Sequence, residues 1–123
     1  MAELIPEPTV LWASGAPPKT ISEFVGRLAS GTASVSVGVM DSPPGWSEPG
    51  QRPVFDEYSV VLEGQLVVED DQGTKAVPPG SAVHAAGGEW VRYSTPEGAR
   101  YVSVCVPAFS PETVNRETVN RDT

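Results

Sequence analysis

Apolar and polar residues alternate along this chain in short runs, and Pro and Gly cut between the runs. Six segments read as strands: Ala33 to Met40, Phe55 to Leu62, Gln65 to Glu69, Ser81 to Ala85, Glu89 to Ser94 and Arg100 to Val106. They are rich in Val and aromatic residues, which suit a pleated surface. Turn sequences bound them, among them Ser42-Pro43-Pro44-Gly45, Glu63-Gly64, Pro78-Pro79-Gly80 and Pro96-Glu97-Gly98. In Ser34-Val35-Ser36-Val37-Gly38-Val39 small residues alternate with Val, so that strand has two unlike faces. Ile21 to Leu28 is ambiguous. Ile21, Phe24, Val25 and Leu28 fit helical spacing, but Val25-Gly26 and the Ser-Gly steps that follow weaken a helix, and a strand is expected.

With 13 Pro and 12 Gly in 123 residues, the pattern is that of a single all-β barrel or sandwich. The expected domain is 1–109. Residues 110–123 are expected to be a polar, flexible tail; they carry a tandem copy, Glu112-Thr113-Val114-Asn115-Arg116 followed by Glu117-Thr118-Val119-Asn120-Arg121.

Acidic residues outnumber basic ones 16 to 8, for a net charge of −8. That balance excludes a nucleic-acid partner, whose backbone demands clustered Lys and Arg, and docking on an anionic membrane by a basic patch. No apolar run is long enough to span a bilayer. The start, Met1-Ala2-Glu3-Leu4-Ile5-Pro6-Glu7-Pro8, lacks the basic and apolar regions of a signal peptide. The single Cys105 has no disulfide partner within the chain, and a cytoplasmic location is expected. Cys105 sits in the apolar run Val102-Ser103-Val104-Cys105-Val106, which reads as packing.

The stretch Gly45-Trp46-Ser47-Glu48-Pro49-Gly50-Gln51-Arg52-Pro53-Val54-Phe55-Asp56-Glu57 through Gly64 resembles the first motif of the cupin family (Gly, five residues, His-x-His, three or four residues, Glu, six residues, Gly). Gly45, Glu57 and Gly64 match in register, and the two His positions fall on Gln51 and Pro53. Counting the second motif from Gly80 places its Pro on Ala86, its Gly on Gly88, its His on Val91 and its Asn on Thr95. The resemblance spans residues 33 to 107, with motif 1 at 45–64 and motif 2 at 80–95. It implies an antiparallel double-stranded β-helix, the cupin or jelly-roll barrel. It also implies that the face carrying Gln51, Pro53, Glu57, Ser59 and Val61 is the barrel interior.

In metal cupins three His and one Glu converge there on a divalent ion; here only Glu57 remains of that set. No metal and no cofactor are expected. His84, the one histidine, either faces inward beside Glu57 or faces out. Glu57 either ties strands together or meets a ligand, with Gln51, Arg92 or Tyr93 as hydrogen-bond partners. The expected catalytic set is Glu57, Gln51, Tyr93 and His84. The expected substrate-contacting set is Trp46, Ser59, Val61, Trp90, Val91 and Met40, lining an apolar pocket or filling it.

The resemblance to small metal-free cupins of actinobacterial natural-product biosynthesis implies a cofactor-free cyclase, pericyclic chemistry included, acting on a small apolar polyketide-type substrate. The alternatives are a non-catalytic small-molecule-binding cupin, or a metal-dependent oxygenase or isomerase built on His84 and Glu57. A homodimer is expected, with Leu4 to Trp12 at its interface.

Overall fold

The computed structural model describes residues 1–110 and residue 113. Ten strands and no helix run along them. They are β1 (Thr9–Ala13), β2 (Lys19–Val25), β3 (Ser36–Ser42), β4 (Trp46–Ser47), β5 (Asp56–Gly64), β6 (Leu66–Asp70), β7 (Gly73–Val77), β8 (Ala82–Ala85), β9 (Val91–Thr95) and β10 (Ala99–Val106). One sheet has the order β1-β2-β3-β10-β5-β8 and the other β4-β9-β6-β7, and the pairings within them are antiparallel. This is the all-β architecture that the pattern predicts and the antiparallel jelly roll that the resemblance implies.

The core forms where the sheets face each other. Trp46, Leu66, Val68, Val77, Val91 and Tyr93 of the smaller sheet pack on Val61, Ala99 and Tyr101 of the larger. Leu66 and Val61 are wholly buried, each worth about 1.5–3 kcal/mol of apolar transfer. The β5–β6 turn depends on Gly64. Its φ is +74°, and a Cβ there would lie 2.1 Å from the Gly98 carbonyl oxygen.

The expected strands are present, with ends shifted by a few residues. The ambiguous segment Ile21 to Leu28 is strand only as far as Val25. Its register against β3 slips between Glu23 and Val25. A bulge breaks the two-residue alternation, which accounts for the apparent helical spacing. β4 and β7 carry no apolar alternation: β4 is two residues long, and of β7 only Val77 is buried.

The amino-terminal strand β1 pairs with β2 of its own chain, from Thr9 opposite Glu23 to Ala13 opposite Lys19. Packing continues past residue 109, since Ser110 is buried and the Val54 amide donates to the Thr113 carbonyl at 2.9 Å. Apart from Thr113, the duplicated pentapeptides lie outside the described residues.

Candidate functional site

A cavity of about 310 Å3 opens against the inner face of the larger sheet. That is the size of a small ligand pocket. Its polar groups come from β2 (Lys19, Glu23), β5 (Glu57), β9 (Tyr93), β10 (Tyr101, Ser103) and the β4–β5 connection (Glu48, Gln51). Leu11, Ile21, Met40, Phe55 and Phe109 supply apolar wall. Phe55 and Phe109 meet edge to face at a 6.2 Å centroid separation, beside buried Cys105.

Strand parity puts these groups inside. On β5 the burial alternates so that Glu57, Ser59 and Val61 point inward and Tyr58, Val60 and Leu62 outward. On β10, Tyr101, Ser103 and Cys105 point inward. Ser103 Oγ donates to Glu57 Oε2 at 2.5 Å. Lys19, 5% exposed, donates from Nζ to the Tyr101 hydroxyl at 2.7 Å, and its ammonium sits 3.9 Å from the Trp46 ring centroid. Glu23 Oε2 accepts from the amides of Leu28 and Ala29 at 3.1 and 2.9 Å, so this carboxylate is committed to the β2–β3 turn.

Burial works against the Lys19 ammonium, but the Tyr101 oxygen, Glu48 and Glu57 outweigh it and lift the group above its ordinary value. Burial, then the negative charges of Glu57 and Glu48, push the Tyr93 phenol well up. Burial, then Glu57, likewise raises the Cys105 thiol, which stays protonated and unreactive. The Tyr93 hydroxyl is buried and makes no hydrogen bond among the described residues. A buried, unmatched hydroxyl on a cavity wall is a place for a ligand acceptor.

Of the expected site residues, Gln51, Glu57, Tyr93 and Met40 line the cavity together. Trp46, Ser59, Val61, Trp90 and Val91 are buried but are not among the residues that line the cavity. Trp46 backs Lys19 and donates from Nε1 to the Ser14 carbonyl at 3.2 Å. Trp90 lies so close to Gly50 that a Cβ there would sit 2.3 Å from Trp90 Nε1. Gln51 is held by two 2.9 Å backbone bonds with Val91. Arg92 pairs with Glu69 of β6.

His84 is a correction. Opposite Tyr58 in the β5–β8 register, it shares that residue's outward parity; it stacks on the Tyr58 ring at 4.4 Å and lies 3.4 Å from Asp56. It therefore stands on the other side of the sheet from Glu57.

Lys19, Tyr101, Ser103 and Glu48 were not among the expected site residues. Tyr101 and Ser103 share parity on an expected strand, a signal that was available. Lys19 and Glu48 fall outside the expected strands and carried none.

The metal centre of the cupin motifs does not fit. Gln51, Pro53 and Val91 replace its histidines, and among the described residues no three His, Cys, Asp or Glu side chains come together as a ligand group. Among the described residues no helix is long and apolar enough to cross a membrane.

No family model matches the chain. It is 44% identical over 102 residues to a Myxococcus xanthus protein named endoribonuclease YbeY, an alignment covering 81% of this chain and 35% of that one. This chain thus spans about a third of that relative's length. Among solved structures it resembles the polyketide cyclase RemF from Streptomyces resistomycificus, with a TM-score of 0.75 and 20% identity over 99% of this chain and 88% of that one. It also resembles a predicted oxalate decarboxylase from Thermotoga maritima (TM-score 0.70, 18% identity, 87% and 99% covered). A third likeness is to KdgF from a Halomonas species (TM-score 0.66, 16% identity, 80% and 89% covered). These likenesses are of fold: the chain has the cupin fold.

Proposed function

We propose that this cupin-fold chain holds a small, largely apolar carbonyl compound in its barrel and catalyses its cyclisation without a metal. The observation that carries this reading is the cavity itself. It sets a buried carboxyl group, Glu57, and an unmatched donor, the Tyr93 hydroxyl, on walls that are otherwise largely apolar. Such a chamber acts by fixing a flexible chain in a reactive fold and by meeting developing charge with placed donors. The fold shared with a protein named as a polyketide cyclase supports the substrate class. The test is turnover of a linear aromatic polyketone by EDTA-treated protein. Glu57→Gln is expected to lower kcat roughly tenfold to a thousandfold with the melting temperature kept. Equal turnover by that variant, or activity only after metal is added, overturns the reading.

A second reading rests on the Myxococcus relative, in which the matching segment is joined to further chain under the name of an endoribonuclease. On this reading the barrel is a ligand-binding module working beside a nuclease, and the bound molecule regulates and is not consumed. Unchanged ligand after long incubation with the protein favours it.

The outer face of the larger sheet supports pairing with a second copy. Val39, Val102 and Val60 lie in one row across β3, β10 and β5, and Val37, Val104 and Tyr58 in the next. Six strands at ~4.8 Å spacing, each ~20 Å long, make a face of roughly 600 Å2, near the ~800 Å2 that each partner buries in a stable complex. A two-fold axis through β10 sets this apolar face against itself.

A further inference from the structure

Tyr101 and Ser103 are two residues apart on β10 and point into the same cavity. That spacing sets their Cα atoms about 7 Å apart. Each carries a partner from another strand: Tyr101 accepts from Lys19 of β2, and Ser103 donates to Glu57 of β5. Two polar pairs of opposite character thus stand side by side along one strand, a cation with a phenol and a carboxyl with a hydroxyl. The Lys19 ammonium lies within electrostatic reach of Glu57, so both pairs act on one cavity.

The balance of charge narrows what enters. Among the described residues the cavity lining contains one cationic side chain, Lys19, and three carboxyl side chains, Glu23, Glu48 and Glu57. Glu23 is bound to the amides of the β2–β3 turn, and Glu48 and Glu57 act on Lys19. A ligand arriving as a carboxylate adds a negative charge to a buried site already rich in them, which is costly. A neutral ligand that passes a proton to Glu57 only moves a negative charge from one wall toward the other, where Lys19 stands. The net charge of the cavity is then unchanged by the step.

We propose that Lys19 and Tyr101 form an oxyanion subsite, that Glu57 held by Ser103 is the base, and that the substrate is a neutral 1,3-dicarbonyl segment. The inference rests on the cavity reading above. Glu57 removes a proton from the carbon between the two carbonyls, and the C–H electron pair becomes an enolate whose oxygen faces the Lys19 ammonium and the Tyr101 hydroxyl. The Tyr93 hydroxyl, which has no partner among the described residues, donates to the second carbonyl of the pair. The enolate carbon then forms a bond to a further carbonyl carbon of the same chain. That carbonyl's π pair becomes an alkoxide, which recovers the proton from Glu57. The product is an isomer of the substrate, with no oxidant, reductant or water consumed.

The probe is benzoylacetone, a neutral 1,3-diketone whose enolate has its own ultraviolet band. Binding is read by equilibrium dialysis and enolate content by difference spectra across a pH series. Intact protein is expected to bind it and to raise its enolate-to-neutral ratio at least roughly tenfold over free solution at the same pH. Lys19→Met is expected to abolish that rise. Tyr101→Phe, which keeps the packing, is expected to weaken it several-fold while dialysis still shows binding. Binding with no change in enolate content, or a full rise in folded Lys19→Met, overturns the oxyanion subsite and leaves the cavity reading standing. No binding at all overturns both.

Discussion

The two faces of the six-stranded sheet depart from the usual distribution of polarity, the inner one mixing buried charged and polar groups with core residues. The inner face carries Lys19, Glu23, Ser36, Glu57, Ser59 and Ser103, all buried. The outer face carries Val37, Val39, Tyr58, Val60, Leu62, Val102, Val104 and Val106. On the four-stranded sheet the inner face is conventional, with Leu66, Val68, Val77 and Val91 against the core. Stability alone does not produce such a departure. Buried charge costs folding energy unless it is paired, and an outward valine stripe, half-buried along β3 and β10, adds nothing to the core between the sheets. The inner face has accepted a penalty consistent with meeting a ligand, and the outer face has kept apolar area consistent with meeting another protein surface. The contrast separates a site from an interface within single strands, residue by residue.

The largest expected effect comes from breaking the outer face alone. Val102→Asp, at the centre of the row Val39–Val102–Val60, would set two carboxylates close together across the proposed two-fold axis. Dimer dissociation is expected to become at least roughly a hundredfold easier, about 2.7 kcal/mol, because an unpaired charge is forced into an apolar contact. Light scattering at micromolar concentration reads it, and ligand binding in the cavity should persist. A wild-type protein that is monomeric under those conditions removes the second copy as occupant.

Much of the fold was legible because alternation and turn chemistry are local. The Val-rich strands and the glycine at position 64 announce themselves within a few residues. Two-residue alternation ties Glu57 to Ser59 and Val61 along β5 and Tyr93 to Val91 along β9, and the motif resemblance supplies which face is inward. What stayed hidden depends on pairing across long separations. Lys19 meets Tyr101 over 82 positions, and Ser103 meets Glu57 over 46. A lone Lys in Pro17-Pro18-Lys19-Thr20 gives no local hint of burial. His84 was open for a related reason. Its β8 segment is four residues long with a shallow burial pattern, so only the pairing register with β5 decides its face. Residue chemistry invited an inward reading that the pleat does not permit.

A smaller effect sharpens the inner half of the contrast. The Tyr93 hydroxyl is buried on a residue 3% exposed and has no partner among the described residues. Tyr93→Phe removes that unmatched group and is expected to stabilise the ligand-free protein by about 1 kcal/mol. Saturated with benzoylacetone, the variant is expected to lose that advantage, since the ligand satisfies the hydroxyl in the wild type only. Paired melting curves, with and without the diketone, check both signs. Destabilisation of the free protein means the hydroxyl is bonded after all.

The smallest effect is expected at the residue whose chemistry looks most catalytic. His84 lies on the outer side of β8, its side chain 46% exposed, stacked on Tyr58 and 3.4 Å from Asp56. Asp56 is tied first to the Gly87 amide, at 2.7 Å, and this bond is the chief reason its carboxyl lies below the usual value; His84 adds less. A carboxyl lowered in the folded state contributes stability above its ordinary range and loses it as the pH falls through the folded value. That window lies on the acid side of neutral pH. His84→Ala therefore should leave both the melting temperature and the pH–rate profile superimposable on wild type across that range. The ring does sit on the apolar outer face, so its removal is expected to show, if anywhere, in the dimer dissociation constant. A profile that loses its neutral limb in His84→Ala would place a proton-transfer role on the outer face and undo the separation of site from interface.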